Sequence, residues 1–278
     1  MPTNRTDRRH AVTFLALLLA LPGVGNSQDV SSGSARDDMR LIEGGQYRPL
    51  YLSKDSPLET VERFYLDRYP VTNQDFLAFV KQHPQWSRTS IPGIFADSQY
   101  LKHWPADERI ADHVADSPVT HVSWFAADAY CAAQGKRLPK TAEWERAAMA
   151  SESRADGSSE TGYKERILMW YSKPSPAQLP RVGQGTANYW GVHDLHGLIW
   201  EWTEDFNASM VTGESRGDSA IDTKLFCAAG TSGAVDPGDY AAFMRYGFRS
   251  SLKADFALPS LGFRCAADAD AMQQEKQP

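Results

Sequence analysis

A long stretch crowded with aromatic rings, and without helical or strand period, restricts the fold more than any other feature of this chain. Residues 84–117 carry Trp86, Phe95, Tyr100 and Trp104 among prolines and polar side chains. Irregular segments of this length normally count against a compact domain. Here each ring offers a large apolar surface to bury. The expectation is therefore an ordered loop packed by its own side chains. The whole chain has eight Trp, eleven Tyr and twelve Phe, ample material for one large core. A length of 278 residues allows one or two domains.

Around this loop, local signals predict a few regular elements. MRLIEGGQY and VERFYLDRYPV read as strands around a Gly-Gly turn. Thr72 with Asp75 forms a helix start, with Phe76, Phe79 and Val80 on one face and Pro84 as the stop. Ser123 caps a second helix whose buried face holds Ala127, Tyr130 and Cys131, and Gly135 ends it. Thr141 is expected to cap a third, with Glu143 in its first turn and Trp144, Ala147 and Ala148 inside. Beyond the polar loop 151–160, helix signals are sparse, and short aromatic strands and loops are expected, MWYS among them.

The N-terminus reads as an export signal. Arg5, Arg8 and Arg9 precede an apolar run from Ala11 to Val24, and Gly25-Asn26-Ser27 supplies small residues for cleavage. An uncleaved anchor and a twin-arginine signal are the alternatives. Residues 28–38 read as a flexible linker, 39–267 as the folded domain and 268–278 as a polar tail. Removing residues 1–27 takes away three Arg and one Asp and moves the formal charge from -6 to -8. That balance disfavours nucleic acid, whose phosphates need Lys and Arg. No later segment is apolar enough to cross a bilayer. The expected location is periplasmic or secreted, with no membrane contact after cleavage. Cys131, Cys227 and Cys265 would meet an oxidising compartment. Spacing alone does not pair them.

Four blocks carry a family resemblance, in order. They are FYLDRYPVTNQDFLAFV (64–80), SPVTHVSWFAADAYCAAQGKRLPKTAEWERAA (117–148), GVHDLHGLIWEWTED (191–205) and RYGFRSS with LGFRCA (245–266). Together they resemble the formylglycine-generating-enzyme (sulfatase-modifying factor) family. The resemblance implies an α+β fold, that family's variant of the C-type-lectin fold, with little regular structure. It implies a disulfide between Cys131 and Cys265. It also implies a structural calcium held by the Asp194 and Glu201 carboxylates and the backbone oxygens of Gly197 and Ile199, a donor set of the hard oxygens calcium prefers. His193 and His196 stand three apart in the same loop, a spacing that can serve a transition metal. With oxygen donors around them, they read better as satisfied histidines.

The family's oxidases hold copper with two cysteines, because soft sulfur selects Cu(I). The matching positions here are read as Asp236 and Ala241, so no copper is expected at that site. Cys227, Asp236, Tyr240, Arg245 and Arg249 remain as candidates for a diverged groove; Arg245 and Arg249 read equally well as structural anchors paired to carboxylates. GAVDPGDYAAFMRYGFRSSL with an export signal most resembles NirV-type members, found beside copper nitrite reductases. The functional expectation is an accessory protein for another exported protein or peptide, such as a copper nitrite reductase. The alternative is a diverged oxidoreductase or protein-modifying enzyme of the same fold.

Overall fold

In a computed structural model, residues 38–47, 58–174, 176–207 and 240–270 are described. Chain entry is a long hairpin. Strand β1 (Met39–Ile42) pairs antiparallel with β4 (Phe64–Asp67), and β2 (Gly45–Tyr47) with β3 (Glu59–Val61). Ile42 faces Phe64 and Gly45 faces Val61, so one register runs through both ladders. The Gly-Gly pair is therefore no turn; it lies inside one arm of the hairpin. A Cβ on Gly44 would stand 2.4 Å from the Val61 carbonyl oxygen, a distance only glycine avoids. Strand β7 (Ala266–Asp268) adds to the other side of β4 and completes a three-stranded sheet.

Helix α1 (Asn73–Gln82) starts at Thr72, which forms the expected capping box with Asp75. Phe76, Phe79 and Val80 point inward, as their spacing predicts. Helix α2 (Trp124–Ala133) is capped by Ser123 and buries Ala127, Tyr130 and Cys131. Helix α3 (Thr141–Ala148) begins one residue earlier than expected. Lys140 is its N-cap, and Glu143 accepts from the Lys140 N–H at 2.8 Å. Thr141 turns outward from that task to bond Asp205 and Thr203.

Two further helices depart from the sequence reading. Helix α4 (Tyr163–Tyr171) takes in most of the expected MWYS strand, and helix α5 (Tyr240–Ser250) stands where a groove-lining loop was expected. Their buried stripes are thin. Tyr163 and Ile167 are buried in α4, while Met169 and Trp170 are exposed. Such a helix has weak periodicity because it is covered on a narrow line only.

The aromatic loop is ordered as expected. Tyr100 and Trp104 are 2 % exposed, and the Tyr100 hydroxyl donates to the Trp86 carbonyl at 2.9 Å. They join Phe76, Tyr130, Trp202 and Phe263 in the larger core. A smaller core packs Ile42, Phe64 and Leu66 against Trp144 and Ala148 of α3. Short parallel strands β5 (Trp200–Glu201) and β6 (Leu261–Gly262) tie the C-terminal segment to that centre. Cys131 of α2 and Cys265 form a disulfide, with both residues fully buried. Asp268 lies in β7 and pairs with Arg137 at 2.6 Å. Among the described residues no helix is long and apolar enough to cross a membrane.

Candidate functional site

Helix α3 presents Trp144 and Glu145 to the interior, and Glu145 is 7 % exposed. A lone buried carboxylate would be costly. Two guanidiniums meet it. Arg245 and Arg249 stand four apart on α5, hence on one helix face. Arg245 donates through Nε at 2.9 Å and Nη2 at 2.6 Å; Arg249 donates through Nη1 at 2.7 Å. Both arginines are buried, and the Arg249 guanidinium lies 4.7 Å from the Trp144 ring centre. Burial by itself would raise the Glu145 pKa; Arg245 and then Arg249 overcome it and hold the carboxyl at about 2.

Arg245 and Arg249 are thus not open groove residues. They seat α5 on α3, the structural role that was their alternative. Tyr240 is 52 % exposed and stacks on Phe243 at the start of α5. Ala241, read as one of the sulfur positions, is buried against Tyr163 and Ile167. Cys227 and Asp236 lie outside the described residues.

A second buried pair meets Trp144 at its indole nitrogen. Arg264 of the LGFRC segment is fully buried and grips Glu201 through Nε and Nη2, both at 2.8 Å. Trp144 Nε1 donates to the same Glu201 at 2.6 Å. Glu201 was expected to bind calcium, and here both of its oxygens are taken. Asp194 lies in a left-handed backbone conformation at φ 61, and its Oδ2 accepts from the Gly183 N–H at 2.5 Å. Among the described residues no three His, Cys, Asp or Glu are grouped to hold a metal ion. A calcium ion held by Asp194, Gly197, Ile199 and Glu201 would have to share the Glu201 oxygens with Arg264 and Trp144. Saturating chelator is expected to leave the melting temperature unchanged; a fall of several degrees would support the calcium reading.

His193 and His196 diverge. His193 Nδ1 pairs with the Gly185 carbonyl at 2.8 Å, and His196 Nε2 with the Ala148 carbonyl at 2.9 Å. They share no metal site. His196 instead stacks on Trp170, 5.6 Å between ring centres, and meets the Tyr171 hydroxyl at 3.4 Å. Burial, then the Arg245 charge, lowers its pKa to about 4. The unfolded chain takes up this proton first, since its histidines titrate near 6.5. Stability from a neutral His196 is present above pH 6.5 and is lost as pH falls toward 4. The Glu145 contribution follows lower, between about 4.5 and 2. We expect His196→Gln to flatten the decline in unfolding free energy between pH 6.5 and 4. Parallel profiles for variant and parent would refute this assignment.

Beside this network a cavity of about 350 Å³ opens, lined by α4, the turn 194–198 and the loop 180–186. Gly197 passes directly under Trp170: an added Cβ would lie 2.9 Å from the Trp170 Cβ, at a φ of 91°.

Sequence reasoning missed Glu145 and Tyr171, and it named His196 without its partners Trp170 and Ala148. A charged residue beside Trp144 in a buried stripe was the available signal for the first.

The family profile described as "Sulfatase-modifying factor enzyme 1-like domain" matches residues 27–269. The chain belongs to this family. Among relatives of this sulfatase-modifying-factor protein is one named "Inactive C-alpha-formylglycine-generating enzyme 2" from Bos taurus. It is 29 % identical over 320 residues, covering 92 % of this chain and 95 % of that protein. A formylglycine-generating enzyme of Streptomyces coelicolor is 30 % identical, covering 78 % of this chain and 82 % of its own. Among solved structures, that of CarF is 15 % identical and covers 84 % of this chain and 98 % of its own, at a TM-score of 0.45. Of the four sequence blocks, three contribute directly to the ion-paired centre: Glu145, Glu201, and Arg245 with Arg249 and Arg264.

Proposed function

We propose that this sulfatase-modifying-factor protein is exported and acts as an accessory to another exported protein, without copper-dependent formylglycine generation. The observation that carries the reading is the seating of α5. Ala241 offers a methyl group packed on Tyr163 and Ile167, and Arg245 and Arg249 are spent on Glu145. A methyl cannot ligate Cu(I), and Asp236 offers only hard oxygen. The name "inactive" on a relative covering most of the chain supports the same direction. A copper nitrite reductase is the partner favoured by the wording of residues 233–252. The likeness to hercynine oxygenase of Mycobacterium tuberculosis, 28 % identical over 56 % of this chain, keeps a diverged oxidoreductase as the competing class.

The test uses the mature protein with Cu(I), oxygen, a thiol reductant and a cysteine-containing sulfatase peptide. No peptide aldehyde and no oxygen uptake are expected. Aldehyde formation would overturn the proposal outright. Oxygen uptake with periplasmic extract, abolished by Asp236→Ala or Cys227→Ser, would replace it with the oxidoreductase reading. On the positive side, nitrite reductase from cells lacking this chain should carry less copper than that from parent cells. Equal copper content would remove the reductase as the partner.

A further inference from the structure

The cavity beside α4 has chemistry that neither the ion-paired centre nor the accessory reading uses. Its volume, about 350 Å³, falls in the range of small-molecule sites. Its lining includes two arginines, Arg166 and Arg181, two acidic residues, Glu152 and Asp194, and an apolar part with Ile167 and Trp170. Trp170 is 42 % exposed, unusual for so large a ring, and it is held in place by stacking on His196.

The two cations are lightly held. Arg166 stands 3.8 Å from Glu160 and 5.9 Å from the Tyr163 ring centre, but hydrogen bonds to the same carboxylate come from Ser151 at 2.6 Å and Ser153 at 3.0 Å. Arg181 pairs with Asp116 at 2.9 Å where both side chains are more than half exposed. Exposed pairs of this kind are cheap to exchange. Asp194 is half withdrawn from water and accepts a single backbone N–H at one oxygen. A simple anion would satisfy the guanidiniums and face the carboxylates unpaired; a simple cation would do the reverse. A ligand carrying both charges satisfies both sets, and a flat apolar substituent matches Trp170 and Ile167.

We propose that this cavity binds a free α-amino acid with an aromatic side chain. Its carboxylate would lie toward Arg166 and Arg181, its ammonium toward Glu152 and Asp194, and its ring against Trp170. The proposal is independent of the accessory role.

Calorimetric titration of the mature protein with L-phenylalanine tests it. 3-Phenylpropionate, which lacks the ammonium, and phenethylamine, which lacks the carboxylate, serve as controls on the unaltered protein. L-Phenylalanine is expected to bind at least ten times more tightly than either. Arg166→Gln should weaken L-phenylalanine and 3-phenylpropionate about tenfold and leave phenethylamine unchanged; Glu152→Gln should weaken the two amines instead. Absence of heat with millimolar L-phenylalanine would overturn the proposal. So would equal affinity for the three probes, or an Arg166→Gln variant that binds all three as the parent does. Because the probe comparison needs no substitution, a misfolded variant leaves the test decisive.

Discussion

Glu145→Gln is expected to lower the unfolding free energy by about 3–5 kcal/mol, the range for removing one side of a buried ion pair. The reason is charge balance. Glu145 is the carboxylate that receives both Arg245 and Arg249, and all three are at least nine-tenths buried. With Gln in its place, two guanidiniums remain inside without that counterion. Arg249→Met makes the informative contrast. It leaves Glu145 bidentate with Arg245, a neutral pair, and loses the Arg249 hydrogen bond to Glu145 together with the cation–π contact with Trp144, the latter worth roughly 0.5–2 kcal/mol. Urea denaturation of both variants checks the order. Equal losses would show that Glu145 and Arg249 act as a simple pair and that the charge-balance account is wrong.

Loss of the Cys131–Cys265 bond is expected to cost about as much. The bond joins residues 134 apart. In the chain-entropy model a closed loop of that length restrains the unfolded chain by roughly 5 kcal/mol. The loop encloses α3, α4 and α5, so the whole ion-paired centre lies within it. A typical domain has a total stability of only about 5–15 kcal/mol. The Cys131→Ser/Cys265→Ser variant should therefore unfold at a much lower urea concentration than the oxidised parent. Both sulfurs are fully buried, so mild reductant should act only after unfolding. Coincident denaturation curves for variant and parent would reject the bond as a major contributor.

The local elements were the legible ones. Thr72 with Asp75, and Ser123 before an apolar face, announce α1 and α2 because a cap acts over three residues and needs no partner elsewhere. The aromatic loop was legible in the same way, since its rings had to be buried somewhere. The Gly-Gly pair misled because glycine signals both turns and close backbone crossings. Only the approach of Val61 to Gly44 distinguishes the two. Helix α4 was overlooked because its contacts are to α5 and the turn at Gly197, and a narrow contact line leaves little period in the sequence.

The site divides along the same line. Sequence by itself determined the family blocks, the charged residues in each, and the absence of cysteine at the positions read as the copper pair. It also offered Arg245 and Arg249 as anchors for carboxylates, without the helix that carries them. Tertiary structure alone decided that they point inward, to a glutamate a hundred residues earlier. It decided that Glu201 pairs with Arg264, and that His193 and His196 serve different carbonyls. The physical reason is range. Caps, turns and spacing act between near neighbours, whereas the partner of a buried charge is chosen by whichever distant segment packing brings within hydrogen-bond reach.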